Sequence, residues 1–136
     1  DAVEANEGSR IASESVVESA DFNIITKEGS VIELTLDVEN LNLKMSDGSK
    51  VNLKGKAAHQ EVVINSGSIY KAKSLRYILL TQKTIITSNT GAEGFINAKD
   101  YVDAKVRAGG KITIYGNPKQ VDKKIIAGGK IYEKEE

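Results

Sequence analysis

The residues of this chain best suited to catalysis are three aspartates in its last third. Asp100 and Asp103 lie close together, and Asp122 follows Asp103 by 19 residues. Glycoside hydrolysis needs two carboxylates that face one bond, so Asp103 and Asp122 are the pair to weigh. Lysines that would neutralise an exposed acidic ladder stand close by: Lys105, Lys123 and Lys124. A structural role for the aspartates is therefore favoured over a polysaccharide-active enzyme.

The chain has few residues suited to nucleophilic catalysis or to metal binding. His59 is the single histidine and there is no cysteine, which excludes thiol catalysis, disulfides and cysteine-based zinc sites. No Gly-x-Ser-x-Gly motif surrounds Ser66 or Ser68, as a serine nucleophile would require. Only oxygen ligands remain for a metal, and Asp47-Gly48 lies outside any EF-hand pattern. We expect a non-enzyme without cofactor or metal, with His59 at the surface and Asp47 in a turn.

Nucleotides and nucleic acids are also poor matches. The Ala-Gly-Gly-Lys segments at 108–111 and 127–130 lack the Walker spacing and a following helix. Basic residues and three tyrosines of the C-terminal half could suit a nucleic acid. Their alternation along the chain is more typical of a solvated face, so we expect no nucleic-acid partner.

The elements that position these residues repeat about every 20 residues. Val102-Asp103 recurs as Val121-Asp122, and residues 108–112 recur as 127–131. The interval of 43 between Gly67 and Gly110 is two periods, which predicts a further turn at 88–91 and leaves Gly94 as an extra glycine. Predicted structural turns therefore fall at the following glycines: Gly29, Gly48, Gly67, Gly110 and Gly129.

Between the turns, apolar and polar residues alternate, which is the signature of half-buried strands. Residues 32–38 show it, as do residues 102–108. Short strands, glycine turns and a fixed period predict an all-β, single-domain parallel β-helix, or β-solenoid, with rungs of about 19–22 residues. The alternative is an antiparallel sandwich. The near identity of the last two periods favours the solenoid, because a sandwich has no need of it.

Charge is divided unevenly along a chain of zero net charge. Residues 1–40 hold ten acids and two bases, a net charge of −8, so the remaining residues carry +8. Chain order is axial order in a solenoid, and the two ends would therefore carry opposite charge. This pattern predicts end-to-end self-association or a basic partner for the acidic end. A simpler interpretation is that the charges serve solubility, with residues 133–136 as a polar cap.

Three segments carry a resemblance to a known family. Residues 64–75 (INSGSIYKAKSL), 95–102 (FINAKDYV) and 114–118 (IYGNP), followed by the turn at 128–131, resemble the head GIN domain family, DUF2807, which is labelled an autotransporter adhesin. The resemblance covers 38–131, with residues 1–37 as less certain N-terminal rungs and 132–136 as a polar tail of one domain, 1–136. The Gly-Asp usual in the family's turns is Gly-Ser or Gly-Lys here, which puts any role of that aspartate in doubt.

The resemblance implies a right-handed helix and export, in Bacteroidetes-type bacteria, to the periplasm, outer membrane or cell surface. It implies no catalytic site. The chain itself holds no apolar run long enough to span a bilayer and does not begin with a signal-peptide pattern.

We therefore expect an adhesin-like cell-envelope or cell-surface module that binds a glycan or matrix protein. The alternatives are a structural or self-associating envelope scaffold and, in third place, a carbohydrate-active enzyme. Aromatic rings offer stacking area for a ligand, and the candidate contacts are Tyr70, Tyr77, Tyr101, Tyr115 and Tyr132. Tyr115 and Tyr132 also suit packing at the edge of a rung.

Overall fold

The computed structural model describes residues 2–72 and 78–134, and every regular element among them is a β-strand. All strand pairs are parallel, so the predicted β-solenoid is confirmed and the antiparallel alternative is wrong. The strands are β1 (Ala2–Ala5), β2 (Arg10–Thr26), β3 (Val31–Met45), β4 (Lys50–Ile64), β5 (Ile69–Lys71), β6 (Leu79–Asn89), β7 (Glu93–Arg107), β8 (Gly110–Tyr115), β9 (Gln120–Ile126) and β10 (Gly129–Glu133).

Successive rungs stack in register, so that about seven turns of chain form one continuous sheet. Val31 pairs with Lys50 and Lys50 pairs with Ile69, one 19-residue period apart in each case. The path through the sheet is β1-β2-β3-β4-β5-β7-β8-β10, with β6 between β4 and β7 and β9 against β7. Like positions of the repeat therefore lie side by side, as the sequence period predicts.

Each rung crosses two faces that meet at a corner. Alternation of buried and exposed residues breaks at Glu39-Asn40, at Ala58-His59 and at Gln82-Lys83, where two successive side chains point outward. We name the surface before this corner face A; it comprises 10–18, 31–38, 50–57, 69–71, 79–81, 93–98, 110–115 and 129–133. Face B is the surface after it, comprising 2–5, 21–26, 40–45, 59–64, 83–89, 101–107 and 120–126.

The core is a stack of inward-pointing aliphatic side chains. Residues 32, 34, 36 and 38 of β3 are at most 5% exposed, as their alternation predicts. Large and small residues compensate between rungs: Tyr70 is fully buried, and its partner in the next rung is Gly94. A Cβ atom on Gly94 would lie 2.9 Å from the Cδ1 atoms of Ile64 and Ile86, so the space is already filled.

The turn between rungs places two successive residues in the left-handed region. Asp47 and Gly48 have φ angles of 60° and 73°, the pattern of a type I′ turn. Asp47 is thus a turn residue, as predicted. The glycine N–H also reaches the next rung, since Gly48 N donates to the Ser66 carbonyl at 3.0 Å. The turns therefore stack on one another through the backbone.

The last two turns lie one residue earlier in the chain than predicted. Gly109 and Gly128 occupy the turn, each with φ of 83°, while Gly110 and Gly129 begin the next strands. Close approach explains these two glycines, because a Cβ on Gly110 would lie 2.2 Å from the Ser88 carbonyl oxygen. Two consecutive glycines are ambiguous in sequence, and the backbone contact decides between them.

One rung is longer than the predicted 19–22 residues. Ile69 pairs with Glu93, which makes a rung of 24, because five more residues separate Lys71 from Leu79 than separate their partners Asn52 and Gly55. The turn that the sequence predicted at 88–91 is confirmed at Thr90-Gly91, with φ angles of 55° and 72°. The 43-residue interval is thus one long rung and one short one.

Two glycines with positive φ provide a test of the close stacking. Gly55 has φ of 108°, and a Cβ there would lie 2.0 Å from the Leu36 carbonyl oxygen, whereas Gly48 has open space around it. We expect Gly48→Ala to lower the free energy of unfolding by about 1 kcal/mol. Gly55→Ala should cost about 3 kcal/mol, because backbone must move. If urea unfolding showed the same loss of unfolding free energy for both variants, this close stacking would be contradicted.

Candidate functional site

Face B carries two columns of outward side chains that are almost wholly polar. A column here means the residues that occupy one register position in successive rungs. The first column is Asp21, Asn40, His59, Lys83, Tyr101 and Gln120. The second column is Asn23, Asn42, Glu61, Ile85, Asp103 and Asp122. We call these twelve residues the polar face; only Ile85 among them is apolar, so the surface is suited to hydrogen bonding.

Hydrogen bonds between rungs hold the N-terminal part of the polar face in order. Asn40 Nδ2 donates to Asp21 Oδ1 at 2.9 Å, and His59 Nδ1 lies 3.3 Å from Asn40 Oδ1. Because the Asn40 nitrogen is used on Asp21, its oxygen is the acceptor and His59 Nδ1 is the donor. A shallow cavity of about 250 Å³ lies beside this row and is also lined by Asn42 and Glu61. His59 is exposed, as the sequence predicted.

The C-terminal part of the polar face is organised around Tyr101. Tyr101 Oη donates a hydrogen bond to Asp122 Oδ2 at 2.7 Å. That hydrogen bond, partial burial and the negative charges of Asp103 and Asp122 raise the pKa of Tyr101 to about 12. The phenol is therefore a neutral donor at ordinary pH, and its half-buried ring is fixed at the surface.

The stacked pair of aspartates is confirmed, but its setting is not that of a glycosidase. Asp103 and Asp122 are partners in adjacent rungs, and Asp122 is already the acceptor for Tyr101. Both lie on an open sheet face, whereas glycoside hydrolysis places two carboxylates on either side of an enclosed bond. Lys123, expected to neutralise this pair, forms an ion pair with Glu133 instead. Among the described residues, no three His, Cys, Asp or Glu side chains gather into a metal site.

The prediction that Tyr70 contacts a ligand is wrong. It is 0% exposed, and its hydroxyl donates to Gln60 Oε1 at 2.8 Å inside the solenoid. Burial raises the pKa of Tyr70 far above its usual value. Its ring cannot meet a ligand at the surface. Tyr77, another predicted contact, lies outside the described residues.

A chain of buried hydrogen bonds continues from Tyr70 to the corner. Gln60 Nε2 donates to Thr84 Oγ1 at 3.0 Å, and the Thr84 and Thr81 hydroxyls are 2.9 Å apart. Thr81 Oγ1 donates to the Asn97 carbonyl at 2.7 Å, so the Thr84 hydroxyl must donate to Thr81. Tyr70, Gln60, Thr84 and Thr81 thus each have a hydrogen-bond partner, which is the condition under which such a network stabilises a core.

Tyr115 and Tyr132 lie on face A, away from Tyr101. Register places Phe95 beside Thr113 and Thr113 beside Tyr132, while Tyr115 follows Thr113 on the same side of β8. Thr113 is only 5% exposed between its bulky neighbours, and Tyr132 is 41% exposed. We call Phe95, Thr113, Tyr115 and Tyr132 the aromatic patch. The four predicted tyrosines among the described residues therefore divide between two faces and the core.

Most of the chain matches the model of a known protein family. The family model described as "Putative auto-transporter adhesin, head GIN domain" (DUF2807) matches residues 1–118. The chain belongs to this family, as its motifs predicted. The match begins earlier than the predicted resemblance, which started at 38, and stops before the turn at 128–131. A search of the curated proteins found no match.

The family description indicates an adhesin-like, exported or surface protein. It agrees with a non-enzyme. In the part of the chain that the structure describes, no helix is long and apolar enough to cross a membrane.

The hydrogen bond of Tyr101 can be tested by titration. We expect Tyr101 to titrate near pH 12, against an ordinary value of 10.0, and Asp122→Asn to bring it back toward 10. Because the folded-state pKa is the higher one, this bond stabilises the fold below pH 10 and the stabilisation is lost as pH rises through 12. The readout is the ring carbon shift of labelled tyrosine. Asp37→Asn, on face A, is the control, and a wild-type Tyr101 that titrates near 10 would contradict the bond.

Proposed function

We propose that this protein is a non-enzymatic, exported binding module that holds a glycan, or the surface of a matrix protein, on its polar face. The observation that carries the proposal is the twelve-residue array on face B, with the ring of Tyr101 fixed inside it. The family description supports an adhesin-like role. The site of action we propose is the periplasm, outer membrane or cell surface.

The chemistry of the polar face suits a ligand rich in hydroxyl groups. Carboxylates of Glu61 and Asp103 accept hydrogen bonds, Lys83 donates them, and the amides of Asn42 and Gln120 do both. The columns run along the axis with a spacing of about 4.8 Å between rungs, so a ligand chain can meet several equivalent positions. An extended glycan lying along the axis matches this arrangement.

Tyr101 is the proposed anchor of the ligand. An aromatic ring provides apolar area for the C–H face of a sugar. Its hydroxyl is held by Asp122, so binding costs little further side-chain entropy. Tyr115 and Tyr132 lie on the other face and provide a comparison within the same molecule.

Binding of the purified protein to an array of glycans and matrix proteins tests the proposal. We expect at least one saturable ligand, weakened about tenfold or more by Tyr101→Ala through loss of the stacked ring. Tyr115→Ala on the aromatic patch is the matched control and should leave that affinity unchanged. Circular dichroism would show that both variants remain folded.

The pattern of losses assigns the face. A ligand lost in Tyr115→Ala but retained in Tyr101→Ala would move the site to the aromatic patch and overturn the polar face. The absence of any saturable ligand would favour a scaffold role.

The scaffold role is the second candidate, and the charge division favours it. Residues 1–40 carry −8 and the remainder +8, and sequence order follows the axis of the solenoid. Opposite ends of two copies would attract, and such head-to-tail contacts build open filaments rather than closed rings.

Self-association of this kind must depend on salt. We expect the mass measured by light scattering to rise with protein concentration at low ionic strength. It should return to the monomer value at about 0.5 M salt, where charges are screened within a few ångströms. A mass that does not change with salt or concentration would contradict the scaffold role.

A further inference from the structure

The corner between the two faces carries a second concave feature, separate from the polar face. Across four successive rungs it forms a groove of about 320 Å³ that runs parallel to the solenoid axis. Its floor is made by inward-pointing residues that are almost fully buried, Val38, Ala57 and Thr81. The volume lies in the range of small-ligand sites.

The groove exists because one rung has a small corner residue. The corner positions of successive rungs are Glu39, Ala58, Gln82 and Lys99, and three of these four are long side chains. Ala58 therefore leaves a gap between Glu39 and Gln82. We name the whole feature the corner groove.

The opposite wall of the groove is a column on face A. Asp37, Lys56 and Leu80 are register partners in successive rungs. Lys56 Nζ lies 3.8 Å from Asp37 Oδ2, so these two charges largely balance. Leu80 is 45% exposed and offers an apolar contact near the middle of the groove.

The two ends of the groove differ in charge. Glu39 makes one end acidic, and Lys99 makes the other end basic. Asp100, next to Lys99, is paired with Lys119 at 3.7 Å, so Lys99 is left as the cation of that end. Three rung spacings of about 4.8 Å separate the ends, which gives a length of about 14 Å.

We infer that the corner groove binds an extended peptide segment with a basic and an acidic side chain four residues apart. Four residues of extended chain span about 14 Å, equal to the groove. Side chains at i, i+2 and i+4 of a strand lie on one side. The basic side chain meets Glu39, the acidic one meets Lys99, and an apolar side chain between them lies over Ala58 beside Leu80.

This site goes beyond the proposed function and does not depend on it. The polar face takes its ligand on face B, whereas the corner groove is lined by corner and face A residues. Tyr101→Ala should therefore leave peptide binding unchanged, and loss of the groove should leave the glycan unchanged.

Fluorescence polarisation with short labelled peptides tests the inference. The first peptide is Gly-Lys-Ser-Leu-Ser-Glu-Gly with blocked ends, and its controls carry two lysines or two glutamates at the charged positions. We expect saturable binding of the mixed peptide and about tenfold weaker binding of both controls, since one end of each meets a like charge. Reversing the order of the two charges should be tolerated, because the peptide can lie in either direction.

Two variants of the protein sharpen the test. Ala58→Gln introduces the residue that Gln82 already provides in the next rung; it should fill the groove and weaken the mixed peptide about tenfold or more. Val63→Gln, in the same rung but on face B, is the matched control. Lys99→Glu should exchange the preference, so that the two-lysine peptide becomes the best ligand.

Other outcomes would overturn the inference. Equal binding of all three peptides, or no binding of any, would exclude a charge-paired peptide site. The same holds if Ala58→Gln, shown to be folded by circular dichroism, binds as the wild type does. A glycan whose binding is lost in Ala58→Gln while every peptide fails would assign the groove to a saccharide instead.

Discussion

Parallel stacking in register determines both the core and the surface of this protein. Every rung donates backbone hydrogen bonds to the next, and the turns continue the ladder, as Gly29 N does to the Asp47 carbonyl. A rung that slipped by one residue would send its buried side chains to the solvent. The left-handed turns, repeated from rung to rung, prevent such slippage by fixing where each strand begins.

Stacking also builds the polar face and the walls of the corner groove. Residues far apart in sequence, such as Asp21 and Gln120, fall into one column at a spacing of about 4.8 Å per rung. A regular column is well suited to a ligand that is itself a repeating chain. It is poorly suited to catalysis, since a flat face neither excludes water nor surrounds a reacting bond. Departures from the repeat, such as Ala58 in the corner groove, supply the concave places.

Much of the fold could be predicted because the repeat is visible in local sequence. The recurrence of Val102-Asp103 as Val121-Asp122 indicates a 19-residue period, and the predicted stacking of these residues is confirmed. The turn at Thr90-Gly91 was predicted from the spacing of the glycines alone. The length of the 24-residue rung that begins at Ile69 could not be predicted, because a fixed period cannot locate five additional residues before Leu79.

The site was less predictable, since it depends on register across irregular rungs. Tyr70 alternates in sequence as a surface residue could, and only its partners Gln60 and Gly94 reveal the cavity that holds it. Tyr101 was predicted as a ligand contact because it has an aromatic ring. Its hydrogen bond to Asp122 could not be predicted without the register of the two rungs. Asn40 and Asn42 carried no motif, and their place in the polar face emerges only from stacking.

Disulfide trapping tests this alignment most directly, and the chain has no cysteine of its own to interfere. Ile85 and Asp103 are register partners on the polar face, and they follow the register shift between Thr81 and Lys83, where pairing is hardest to infer from sequence. Adjacent parallel residues lie within the Cα range that a disulfide requires, about 4.4–6.8 Å. We predict rapid cross-linking of Ile85→Cys with Asp103→Cys and none of Ile85→Cys with Lys105→Cys. Cross-linking of the second pair in preference to the first would contradict the register, and with it the polar face.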